Sequence, residues 1–309
     1  VQKRTVISLI VLGSSISSGL SHASEAIFFD DFNYAEMPEF VQNGWKVRTE
    51  RGHPGISGAE WSAEGVSFHP ELKEAHRGAV RMSSITAGEG DNTRHTQLCH
   101  ARKYLKGTYG ARVFLRDTPS YGPDGDEVIQ TFYTISPLEF PMDPNYSEVD
   151  FEYLPNGGWG SDSNSAMWTT TWETFQLEPW TKVNEYTRKE GSYAGWRTLV
   201  MTVEDDAVNY YVDGKLISTH SDKVAPEKPM SINFNLWFMP KGADGSIGPV
   251  DSDELREYQQ DIDWVFHKVG EILSPEAVGQ HVAMLQSKGV DYQDTVQPMS
   301  PALPSPCGL

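Results

Sequence analysis

The 309-residue chain is short of cysteine, of basic residues and of long apolar runs, and each shortage excludes a class of function. Cys99 and Cys307 are its only cysteines, too few and too far apart for a thiolate zinc site, and the nine histidines contain no His-Glu-x-x-His pattern. With 25 Lys and Arg against 43 Asp and Glu, the formal charge of −18 offers phosphate backbones no basic surface and argues against a nucleic-acid partner. No stretch reaches the roughly 18 consecutive apolar residues that a membrane-spanning helix needs.

What is abundant is core material. Apolar residues make up 38% of the chain and aromatics 11%, which rules out disorder over most of it. The length suits one all-β domain. Residues 1–23 read as a secretory signal peptide: Lys3 and Arg4 form a basic start, Thr5 to Leu20 is largely apolar, and Ser21-His22-Ala23 supplies small residues for cleavage. A retained N-terminal anchor is the alternative. Export predicts a secreted protein, extracellular or periplasmic, expected to be a soluble monomer. It also permits Cys99 and Cys307 to pair, although the tail around Cys307, with Pro298, Pro301, Pro304 and Pro306, reads as flexible and argues against the bond.

Periodicity predicts strand after strand: 26–29, 79–82, 109–115, 127–135, 148–154, 165–174, 196–203, 207–212, 215–219, 230–238 and 261–268. Asn156-Gly157-Gly158, Asp213-Gly214 and Lys241-Gly242 supply turns, with Asp213-Gly214 the strongest hairpin signal. The fold expected is an all-β, two-sheet antiparallel sandwich, or jelly roll, over residues 24–273. Residues 274–309 would add one helix over 275–288, capped by Ser274 and burying Val278, Val282 and Leu285, followed by a disordered end.

The chemistry concentrates in Glu148-Val149-Asp150-Phe151-Glu152. In a strand Glu148, Asp150 and Glu152 share one face while Val149 and Phe151 take the other. Crowded carboxylates raise one another's pKa, so one can hold a proton while another stays ionised. A glycosidase needs that pair, one group to protonate the leaving oxygen and one to attack the anomeric carbon. The outer Cα atoms would lie about 13 Å apart, so the two glutamates must lean together to reach the about 5–5.5 Å of a retaining pair. An acidic, merely solvated strand face is the alternative. Tyr133, Tyr146, Trp159, Trp168, Trp172 and Trp237 tip the balance toward sugar, since aromatic faces stack on sugar rings.

With these residues in view, the sequence resembles the family 16 glycoside hydrolases, which include lichenases, laminarinases and xyloglucan endotransglycosylases. The carboxylate motif is similar to the form without an extra residue before the last Glu. In family order, 28–33 resembles the opening strand, Arg102 with 109–113 the arginine segment, 210–214 the Tyr-Val-Asp-Gly hairpin, 233–237 the Asn-Leu-Trp strand and 263–265 the Asp-Trp-Val strand. The resemblance implies a concanavalin A-like jelly roll acting on a polysaccharide or oligosaccharide. It implies Glu148 as nucleophile, Glu152 as acid/base and Asp150 as the residue that tunes them. Arg102, Asn235 and Trp237 would line the cleft, and Tyr146 falls where lichenases place a Trp. No cofactor is required, and Asp263 matches a position that binds calcium in some members, the alternative being a structural Asp at the start of a strand.

Departures are informative too. His100 stands two residues before Arg102, where lichenases have a Glu contacting a distal glucose, and an imidazole cannot repeat a carboxylate's bonding to hydroxyls. Ile135 replaces an aromatic, and 136–145 and 173–193 read as lengthened loops that reshape subsites. A retaining endo-glycosidase is the leading expectation; a transglycosylase with the same residues and a non-catalytic carbohydrate-binding protein are the alternatives.

Overall fold

The computed structural model describes residues 26–240, 250 and 252–307. The signal-peptide reading of 1–23 and the turn at Lys241-Gly242 lie outside these residues. Strands are the main regular structure of these residues, arranged as two facing antiparallel sheets, the jelly roll expected.

The front sheet runs Lys46–Val47, Thr93–Tyr104, Met230–Phe238, Val128–Ile135, Glu148–Leu154, Ala166–Gln176 and Thr181–Glu190, each pairing with the next. The back sheet runs Lys215–Ser221, Ala207–Val212, Gly195–Val203, Gly107–Leu115 and Arg256–Val269, whose far edge is shared by Val80–Thr86 and Ile27–Asp30. Alternation explains the layering. Val149, Phe151 and Tyr153 point between the sheets with Phe132, Phe234, Leu98, Val113 and Tyr210, so the alternate residues of the front strands face outward. The Asp213-Gly214 hairpin forms as expected, both residues holding the positive φ that such a two-residue turn requires.

The helix Pro275–Ser287 starts at Ser274, whose hydroxyl accepts from the Ala277 N–H. It buries Val278, Val282 and Leu285 against Ile27, Phe29, Val200 and Phe266 on the outer face of the back sheet, leaving the front face to function. Among the described residues no helix is long and apolar enough to cross a membrane.

Three expectations are corrected. The lengthened loop at 173–193 is mostly a hairpin arm, because Ala166–Gln176 and Thr181–Glu190 pair along their length with one irregularity between Trp172 and Thr174. Cys99 and Cys307 are bonded, with Cα atoms 5.5 Å apart. The proline-rich tail is also held down: Val296 enters the core, Lys103 Nζ donates to its carbonyl at 2.9 Å, and Lys46 Nζ donates to Ser305 Oγ at 3.0 Å. Two lysines of the front sheet thus hold the tail, one through a backbone carbonyl and one through a side-chain hydroxyl.

Candidate active site

Register decides the site. Glu148, Asp150 and Glu152 face outward into a groove of about 1020 Å³ on the front sheet. Trp172, Thr170 and Trp168 stand opposite them on one neighbouring strand, and Ile135, Tyr133 and Thr131 on the other. Each carboxylate therefore lies between two fixed side chains, and the strand cannot slip without turning all three inward.

Each has its own partner. The Tyr146 hydroxyl donates to Glu148 Oε2 at 2.5 Å, the Trp172 indole N–H donates to Asp150 Oδ2 at 2.9 Å, and the Trp159 indole bonds Glu152. Burial pushes Glu148 up to about 7, with the Tyr146 bond pulling the other way. Glu152 is pushed up to about 8, first by burial and then by the Glu148 charge, against the Trp159 bond and the Lys182 ammonium. Asp150, only 4% exposed, is raised by burial and by both glutamate charges. Near neutral pH the three carry fewer than three charges, the condition for an acid and a nucleophile to coexist.

The aromatic residues divide into platforms and supports. Trp237 and Trp159 line the groove with ring centroids 5.9 Å apart, and Trp159, 43% exposed, is carried at positive φ by the turn after Gly157-Gly158. Trp172 and Tyr133 line it as well, and the Tyr133 hydroxyl accepts from Gln97 Nε2 at 2.7 Å. Asn235 lines the floor, its Oδ1 accepting from the Thr131 hydroxyl at 2.6 Å. Tyr146 is buried beneath the groove and acts through Glu148.

His100 and Arg102 are not groove-lining residues. His100, 2% exposed, points between the sheets onto Phe28 and Trp45, with Nε2 at 3.0 Å from the Asn43 carbonyl and Nδ1 at 2.6 Å from the Tyr104 hydroxyl. It shares strand parity with Leu98, and pairs with the core residue Ile232, hence the core placement. Arg102 is buried close to Tyr133 and Tyr146, and burial lowers it to about 10.

Asp263 does not suit calcium. One oxygen accepts from the His76 backbone N–H at 2.9 Å, and the other is ion-paired to the Arg112 guanidinium. A fixed cation and a hydrogen-bond donor occupy the positions from which a divalent ion would draw its ligands. Among the described residues no cluster of three His, Cys, Asp or Glu side chains could hold a metal.

The sequence reading missed Arg48, Trp180, Lys182 and Tyr186, all of which line the groove. Arg48 follows a two-residue strand, too short to show a period, and lies over Trp61 at 4.4 Å. Lys182 and Tyr186 belong to the unrecognised hairpin arm and Trp180 to the turn just before it, and Lys182 Nζ sits 5.4 Å from the Trp172 ring.

No family model matches this sequence, and no curated protein matches it. Solved structures do. A β-glucanase from Bacillus licheniformis is 17% identical at TM-score 0.55, the match covering 79% of this chain and 99% of that one. A glycoside hydrolase family 16 endo-glucanase from Bacteroides ovatus is 16% identical at TM-score 0.56, over 77% and 98%. This chain has the family 16 jelly-roll fold. The same fold extends to the kappa-carrageenase of Pseudoalteromonas carrageenovora, 14% identical at TM-score 0.54 over 82% and 99%. Identities this low establish a common architecture, and the chemistry of the present groove rests on its own residues.

Proposed function

We propose that this protein is a retaining endo-glycosidase that cleaves β-glycosidic bonds in a polysaccharide, and that residues 1–23 direct its export. The observation that carries the reading is the row of Glu148, Asp150 and Glu152 in one groove, with a separate donor on each carboxylate and tryptophans on both sides. The glucanases and the carrageenase of the same fold add support through what their names say they hydrolyse.

The steps balance on three groups. Ionised Glu148 attacks the anomeric carbon as the glycosidic C–O bond breaks, and Glu152 gives its proton to the leaving oxygen. Glu152, now a carboxylate, takes a proton from water, which attacks the same carbon and displaces Glu148, restoring both groups. Two inversions leave the configuration unchanged. Asp150, itself raised by burial and by both glutamate charges, can hold a proton between them and so spares Glu148 a second neighbouring charge while it is ionised.

The test is a panel of laminarin, mixed-linkage β-glucan, xyloglucan, agarose, carrageenan and galactan with chromatographic product analysis. New oligosaccharides from one polymer, absent with Glu148→Gln, support the reading. Products longer than the input would reassign the protein as a transglycosylase, and binding without products as a carbohydrate-binding protein.

A further inference from the structure

Cross-strand register places Cys99 on the groove face. Asp150 stands opposite Tyr133, Tyr133 opposite Asn233, and Asn233 opposite Cys99, and directly paired residues of antiparallel strands share a face. Ser231 belongs to the same face in the row of Glu148, through Ile135. Tyr133 reaches the groove, yet Ser231, Asn233 and Cys99 on the same face do not line it and have no exposed surface. What covers them is the end of the chain. Cys307 is bonded to Cys99, the Ser231 hydroxyl lies 3.3 Å from the Pro306 carbonyl, and Ser305 is held by Lys46 on the edge strand.

The adjacent row lines the groove instead. From Glu152 it passes Thr131, Asn235 and Gln97 to Arg48, all of them groove-lining. Rows two residues apart along a strand are separated by about 6.8 Å, about the width of one sugar ring. A sugar chain leaving the carboxylates on this side therefore has a single lane, with the tail as its wall.

We propose that the segment around 305–307, fastened by the Cys99–Cys307 bond, sets the groove's substrate class by excluding side branches, so that the protein takes an unbranched glycan. The wall fills the flank where a branch on a bound sugar would project. The proposal rests on the carbohydrate reading of the groove but not on turnover.

The test measures binding by calorimetry with full-length Glu148→Gln. The probes are laminarihexaose against a β-1,6-branched laminarin fragment, and cellohexaose against a xyloglucan oligosaccharide of matched backbone. With the disulfide intact, the unbranched member of the pair that binds should be favoured by at least about tenfold, equivalent to about 1.4 kcal/mol. In the Cys99→Ser/Cys307→Ser background that preference should fall to about twofold or less, with affinity for the unbranched probe retained. Should the double variant fail to fold, the folded disulfide protein, reduced with dithiothreitol and alkylated, makes the same change after folding. An unchanged preference, with loss of the bond verified by mass and the fold by circular dichroism, overturns the wall. Absence of binding by every probe overturns the wall as a selector among β-glucans, and leaves the glycosidase reading to the polymer panel. A preference that responds to the bond in a protein whose wild type hydrolyses nothing sinks the glycosidase reading alone.

Discussion

Tyr146 donates its hydroxyl hydrogen to Glu148 Oε2 at 2.5 Å from two positions upstream, so one short peptide carries both a groove carboxylate and the hydroxyl that opposes its protonation. The bond favours the ionised form, against burial, which favours the neutral one. Tyr146→Phe should therefore raise the Glu148 pKa and move the acid limb of the kcat/KM profile to higher pH. Activity at pH 6 should fall about fivefold while the alkaline limb stays in place. An unmoved acid limb would detach Tyr146 from the chemistry.

With Glu148 near 7 and Glu152 near 8, the proposed mechanism starts from Glu148 ionised and Glu152 protonated. The pH dependence of kcat/KM should be a narrow bell whose limbs fall at these values as properties of the coupled set. A profile flat from pH 5 to 9 would contradict the assignment.

Glu152→Ala should lose activity on natural polymers and regain it with azide on substrates that have activated leaving groups. The glycosyl azide should keep the configuration of the substrate, since azide takes the place of water in the second displacement. Nuclear magnetic resonance of the product reads the configuration, and an inverted azide would exclude Glu148 as nucleophile.

Asp150→Asn should stabilise the protein and slow it. The three carboxylates have raised folded-state values, so their contribution to stability is full below about 4.5 and lost as pH rises through about 7 to 8. An amide in the middle removes repulsion at the upper end, and its oxygen can still accept from Trp172. The melting temperature should rise on the order of a few °C at pH 8 and little at pH 4. An equal change at both pH values would show that charge is not the cause.

Chelator should leave the melting temperature unchanged, because Arg112 already meets Asp263. Arg112→Ala should instead cost about 2–3 kcal/mol in denaturant unfolding, leaving the buried Asp263 without its counter-charge. A chelator-induced drop would restore a cation to that position.

Legibility followed burial. The Glu148–Leu154 strand could be read because its inward residues are apolar and its outward ones charged, and the Pro275–Ser287 helix because cap and apolar stripe agree. Thr93–Tyr104 was hidden because Thr, Gln, His and Arg occupy both of its faces, and its core side includes His100. Once that strand is recognised, the two-residue step from Leu98 to His100 places the histidine inward. Thr181–Glu190 is the last strand of its sheet and half exposed along its length, so nothing imposes an apolar period, and Lys182 and Tyr186 went unread with it. The tail misled because composition reports what proline cannot do and is silent about a single covalent anchor.

The two-residue repeat of Glu148–Leu154 ties the fate of the interior to that of the groove. A one-residue insertion ahead of Glu148 would put Val149, Phe151 and Tyr153 in water and three acids between the sheets, losing fold and chemistry together. Silencing by point substitution is the opposite case, since an exchange at Glu148 or Glu152 leaves every inward residue in place. A lineage of such chains could therefore lose the three-carboxylate row while keeping its scaffold, but only by replacing side chains, never by shifting the strand.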